Sequence, residues 1–152
     1  MQYLSFYQFF SILIIEIGYF TTDMISGGFP FYIRMGDNLM DKRMKFLLEE
    51  YIRHVIDLYG SHLRQVILYG SYARGDFRDD SDIDIMILLD LSDLELKKYS
   101  QQLSYMTYDY NMDHNLEINP IAKNETHFRK WIQNYPFYSN VHDEGVILYG
   151  TA

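Results

Sequence analysis

Asp82 and Asp84 stand two residues apart, so an extended backbone there turns both carboxylates to one face while Ile83 and Ile85 turn to the other. Like charges this close repel one another unless a cation shares them. Mg²⁺ fits that place, because it takes oxygen ligands and is commonly held by one or two carboxylates plus substrate phosphates. Upstream, Gly70 lets the backbone pass close to a ligand. Ser71 offers a hydroxyl and a backbone N–H at a helix start, a setting that favours phosphate. Arg74 and Arg78 either supply positive charge to the site or pair with Asp76, Asp79 or Asp80 as surface ion pairs of little energetic weight. Glu117 alternates with Leu116 and Ile118; it is a third carboxylate if its strand lies beside the strand of Asp84, and an ordinary exposed residue otherwise. Three acids around divalent ions suit in-line phosphoryl or nucleotidyl transfer, where metals neutralise the phosphates and the third acid helps to deprotonate an attacking hydroxyl. The residues by themselves therefore predict a metal-dependent nucleotide enzyme.

Such a site needs elements to hold it. Met44, Leu47, Leu48, Tyr51, Ile52, Val55, Ile56 and Tyr59 follow three-four spacing, which predicts an amphipathic helix from Asp41 to Leu58 with Gly60 as its C-terminal cap. Gln65–Tyr69 and Ile83–Leu89 are short apolar runs with the pattern of buried strands, and the polar Gly70–Asp82 segment lies between them. Ser92 followed by Glu95 is a capping-box signature for a helix to about Tyr110. His114–Ile121 alternates, with Leu116, Ile118 and Pro120 on one face, and its proline suits a strand near a sheet edge. Asn124 can cap a helix through Phe128, Trp131 and Ile132; after Pro136 an irregular segment is expected, then a last strand, Val146–Tyr149. The two strands flanking the polar segment are too close for a helical crossover. The expected fold is α+β: a small mixed sheet packed by helices, covered on one side.

With 152 residues the chain suffices for one domain with a real core. A formal charge of −8 argues against unaided binding of RNA or DNA, which needs surplus Lys and Arg to neutralise phosphates. There is no cysteine, so any metal must be held by oxygen or imidazole. The histidines show no metal-ligand spacing and are expected to be structural. Residues 1–39 differ in character: Leu4–Phe20 is aromatic and aliphatic around Gln8 and Glu16, and Gly27, Gly28 and Pro30 follow. Three accounts stand for that segment: a translated upstream sequence outside the working protein, a packing extension, or a membrane element. The first has a specific motive, since Met40 opens a strong helix and Gly36-Asp37 can be encoded as a ribosome-binding sequence. The expected domain is 40–150, with no membrane attachment if the chain starts near Met40.

Gly70-Ser71, ten residues, then Asp82-Ile83-Asp84 resembles the GS-x10-DxD signature of the polymerase-beta-type nucleotidyltransferase superfamily. The small size and the ending FYSNVHDEGVILYG further resemble the minimal nucleotidyltransferase (MNT) proteins, over about Met40–Gly150. The resemblance implies that Asp82 and Asp84 bind Mg²⁺, with two ions when nucleotide is present. It also implies that Gly70 and Ser71, with Arg74 nearby, hold the triphosphate of ATP, and that Glu117 completes the site as the third acid, Asp113 being the alternative. It implies a function as well: many MNT proteins are encoded with a HEPN-type ribonuclease as a toxin-antitoxin pair, characterised members transfer AMP from ATP to a tyrosine of that partner, and a cytoplasmic location is expected. Two other functions compete. One is a silent nucleotide- or partner-binding module that inhibits by occlusion, and the other is a nucleotidyltransferase for small hydroxylated compounds such as aminoglycosides.

Overall fold

The computed structural model describes residues 41–78 and 80–150. The expectations for residues 1–39 and for an ion pair of Asp79 lie outside them. Helix α1, Lys42–Tyr59, is capped at its start by Asp41, whose carboxylate accepts from the Met44 N–H at 2.7 Å. It ends at Gly60, whose positive φ of 53° glycine takes without steric cost. A short 3₁₀ turn, Gly60–His62, leads into strand β1, Leu63–Tyr69. Helix α2, Gly70–Arg74, and a loop follow, then β2, Ile83–Leu89, and α3, Asp93–His114. The chain closes with β3, Ile118–Asn124, α4, Glu125–Trp131, α5, Pro136–Glu144, and β4, Val146–Tyr149.

The four strands form one sheet in the order β3-β2-β1-β4. β1 pairs antiparallel with β2 and β4, whereas β2 and β3 run parallel, so the sheet is mixed as expected. β3 is an edge strand, which tolerates the missing N–H of Pro120. Its range is shifted from the predicted His114–Ile121 because α3 continues to His114 and turns at Asn115 in the left-handed conformation. Asn111 fastens that turn: its amide donates to the Ile118 carbonyl and accepts from the Ile118 N–H.

The sheet is covered on both faces, not on one. Ile83, Ile85, Ile87 and Leu89 enter the larger core with Leu48, Tyr51, Ile52 and Val55 of α1 and Leu103 and Tyr110 of α3. Met86 and Leu88 point the other way and join Ile67, Phe128 of α4, and Tyr138 and Val141 of α5. The near-continuous apolar run of β2 is the mark of a strand buried on both faces. The segment after Pro136 is correspondingly helical rather than irregular: Pro136 occupies the first turn, where its missing N–H costs nothing, and Tyr138 and Val141 supply the buried face.

Two buried hydrogen bonds join α1 to α3. Tyr51 and Thr107 share a hydrogen bond of 2.8 Å, and the Tyr110 hydroxyl donates to the Leu47 carbonyl at 2.7 Å. The capping box at the start of α3 is present in full: Ser92 N–H donates to Glu95 Oε2 at 2.9 Å, and Ser92 Oγ accepts from Glu95 N–H. Ser92→Ala is therefore expected to lower stability by about 1 kcal/mol, read as a fall of several degrees in the melting temperature. Among the described residues no helix is long and apolar enough to cross a membrane.

Candidate active site

The site begins where β1 ends. Tyr69 lies opposite Asp84 across the antiparallel β1–β2 pair, and the chain then turns sharply at Gly70, whose φ is 72°. Helix α2 is a little over one turn long and closes at Gly75 in the left-handed conformation, with Gly75 and Asp76 N–H both donating to the Ser71 carbonyl. The following loop packs on itself. The Tyr72 and Phe77 rings stack at 4.3 Å with 5° between their planes, and Ser81 Oγ accepts from the Arg78 N–H at 2.8 Å. That loop delivers the chain to the start of β2 and to the two acids.

Ile83 and Ile85 are buried in the larger core, so alternation turns Asp82 and Asp84 to the opposite face of the sheet. Gly70 lies directly under the second of them. A Cβ at position 70 would collide with Asp84 Oδ2 and stand 3.3 Å from Asp84 Cγ, so the absence of a side chain there makes the room that this carboxylate occupies. Partial burial, and then the charge of Asp82, raise the pKa of Asp84, while Arg74 acts in the other direction. The Tyr69 hydroxyl is pushed up to about 12 by burial and by the charge of Asp84. The ring of Phe137 meets that of Tyr69 edge-on at 5.5 Å, which places the start of α5 beside the site.

The other predicted residues are placed as follows. Ser71 is in the first turn of α2, half-buried. Arg74 leaves the end of that helix, with Nε 3.3 Å from Asp76 Oδ2 and Nη1 3.5 Å from Glu144 Oε2, so it is both near the acids and engaged in surface ion pairs. Glu117 is exposed and immediately precedes β3; its carbonyl accepts from the Ile83 N–H at 2.8 Å. Glu117 also lines a cleft of about 780 Å³ together with Tyr72, Phe77, Arg78, Ser81 and His114. Asp113 is exposed in the last turn of α3. Among the described residues no group of three His, Asp or Glu side chains is close enough to hold one metal ion, so the structure gathers the two aspartates without Glu117.

One residue in the site was not singled out from the sequence. The parallel β2–β3 register sets Asn119 beside Asp84, and Asn119 Nδ2 donates to Asp82 Oδ2 at 3.0 Å. Its signal was the alternation already noted, since Asn119 shares the face of Glu117 on the adjoining strand. The amide holds Asp82 while leaving its other oxygen unengaged by that bond. Two carboxylates on one face, one of them oriented by an amide, make a hard-oxygen donor set suited to Mg²⁺. Of the histidines, His62 pairs with Asp90 and His142 with Asp143, while His54, His127 and the cleft-lining His114 pack against aromatic rings.

Residues 48–148 match the model of the nucleotidyltransferase domain. The chain belongs to that family. The mixed sheet described above is a nucleotidyltransferase fold, and the matched segment includes the acid pair and the glycine turn. This nucleotidyltransferase is 33% identical over 110 residues to the Methanocaldococcus jannaschii protein named "Putative protein adenylyltransferase MJ0604", an alignment spanning 67% of this chain and 94% of the other. In structure it is similar to a "putative nucleotidyltransferase" from Sulfolobus solfataricus, at 24% identity and TM-score 0.47 over 69% and 78% of the two chains. It is also similar to a toxin-antitoxin complex solved with AMP-PNP, at 20% identity and TM-score 0.42 over 68% and 73%.

Proposed function

We propose that the protein is an Mg²⁺-dependent adenylyltransferase that moves AMP from ATP to a tyrosine hydroxyl of a HEPN-type ribonuclease toxin, and is thereby the antitoxin of the pair. The observation that carries the nucleotidyl-transfer chemistry is the seating of Asp84 over Gly70, with Asp82 on the same face and held by Asn119. The protein acceptor is supported by the Methanocaldococcus jannaschii relative, which is aligned over 94% of its length and carries the name of a protein adenylyltransferase. The toxin and its tyrosine follow from the likeness of the GS-x10-DxD and FYSNVHDEGVILYG segments to those of MNT proteins.

In this scheme Asp82 and Asp84 hold the metal, which when bound neutralises phosphate charge and polarises the α-phosphorus. Gly70 and the N–H and hydroxyl of Ser71 cradle the triphosphate, and Arg74 adds positive charge at the end of the same turn. Asn119 keeps Asp82 in the orientation shared with Asp84. Glu117 accepts the proton of the attacking hydroxyl from the neighbouring cleft. Bond formation at the α-phosphorus releases pyrophosphate and leaves AMP on the acceptor oxygen.

The direct test incubates the protein with labelled ATP, Mg²⁺ and the product of the adjacent gene. Label on a tyrosine of that product is expected, with loss of its ribonuclease activity. Label on a small hydroxylated compound with no partner present would instead mark the small-molecule enzyme. Protection without label, unchanged when Asp82 and Asp84 are both Asn, would mark the occluding module. Two further variants grade the site. Asn119→Ala is expected to weaken the Mg²⁺ dependence of the rate by about tenfold, the usual scale for a residue that orients a metal ligand. Glu117→Gln is expected to lower the rate by about a hundredfold at saturating Mg²⁺, with its effect on kcat rather than on KM for ATP.

A further inference from the structure

The outward face of α3 carries apolar side chains that the fold leaves uncovered. Leu94, Tyr105, Tyr108 and Met112 are 73%, 63%, 62% and 66% exposed, whereas Leu103, Thr107 and Tyr110 on the inward face are buried. Lys98 and Gln101, also exposed, complete the stripe, which runs 94, 98, 101, 105, 108, 112 in steps of four and three residues. Alternating steps of this kind keep side chains in line along a helix and are the spacing of a coiled-coil seam. A surface helix ordinarily shows one apolar face and one polar face. α3 has apolar side chains on both.

We propose that this stripe is a self-association surface on which α3 pairs antiparallel with α3 of a second copy of the chain. Its spacing is symmetric about position 103: Leu94 and Met112 are equally far from it, as are Lys98 and Tyr108, and Gln101 and Tyr105. A two-fold axis there seats Leu94 of one copy on Met112 of the other and Lys98 over the face of Tyr108, and both contacts occur twice, as an isologous interface requires. Lys98 and Asp109 lie on the same flank of the seam at nearly mirrored heights, so the axis also sets the Lys98 of each copy beside the Asp109 of the other. A parallel pairing would instead oppose Lys98 to Lys98. α3 packs on the face of the sheet opposite to Asp82 and Asp84, so association through it leaves the acid pair open to substrate.

The chain has no cysteine, so an introduced one reports alone. Leu94→Cys and Met112→Cys proteins, mixed and oxidised, are expected to form the mixed disulfide dimer. Neither should cross-link with itself, because eighteen residues at about 1.5 Å rise separate like positions by about 27 Å in the antiparallel pair. Sedimentation of the full chain should show a monomer–dimer equilibrium that Lys98→Glu weakens at least tenfold, and that Lys98→Glu with Asp109→Lys restores. Tyr105→Glu should give monomer with an unchanged circular dichroism spectrum. A wild-type protein that stays monomeric from micromolar to near-millimolar concentration, as it would if the stripe serves a different protein, overturns the proposal. So does self-cross-linking of Leu94→Cys, or a charge swap that fails to restore the dimer.

Discussion

Asp84→Asn is expected to lower AMP transfer by on the order of a thousandfold while leaving the melting temperature at or above that of the parent. The two outcomes have different origins. Asn keeps the shape of Asp84, so it fits over Gly70 as the carboxylate does, and the β2 backbone beneath it is anchored by Ile83 and Ile85 in the larger core. It also removes a negative charge that is partly buried and faces Asp82, an arrangement unfavourable to the empty site. Only the chemistry suffers, because an amide is a much poorer ligand for a hard divalent ion than a carboxylate. The measurement is label transfer to the partner protein, with thermal denaturation of the same preparation beside it. A variant that is as stable as the parent and as active would remove Asp84 from the metal site.

That separation of fold from chemistry explains what the sequence discloses. Positions set by local rules were legible. The alternation of Asp82, Ile83 and Asp84 follows from the two-residue period of a strand, and the caps at Gly60, Ser92 and Asn124 follow from backbone groups that every helix end must satisfy. Positions set by pairing between distant segments were not. Asn119 stands beside Asp84 because β3 lies parallel to β2 in that register, which is a pairing between segments far apart in the chain. Glu117 shows the converse: its residue type and alternation suit a third acid, yet it lines the cleft and, among the described residues, joins no three-acid cluster. α5 was missed because its apolar residues are few and a proline opens it; Tyr138 and Val141 acquire meaning only against Met86 and Leu88 on the second face of the sheet.

Gly70→Ala tests the tightest coupling between backbone and chemistry in the molecule, and is expected to impair both. With φ at 72°, an alanine costs about 1 kcal/mol for the left-handed backbone alone. Its Cβ would also collide with Asp84 Oδ2, the carboxylate of a short side chain on a central strand that has little freedom to swing aside. Either the α2 turn shifts or Asp84 leaves its position, and both separate that turn from the acid pair. The expected loss is about 2 kcal/mol of stability and at least a hundredfold of transfer rate. A double-mutant cycle isolates the collision from the backbone cost. In an Asp84→Ala background the obstructing carboxylate is gone, so Gly70→Ala should cost only about 1 kcal/mol there, leaving a coupling of similar size between the two positions. Equal costs in the two backgrounds, measured by denaturant unfolding, would mean that Gly70 is required for the turn alone. A positive coupling would mean that the glycine of this turn is selected as much by the carboxylate above it as by the φ angle it adopts.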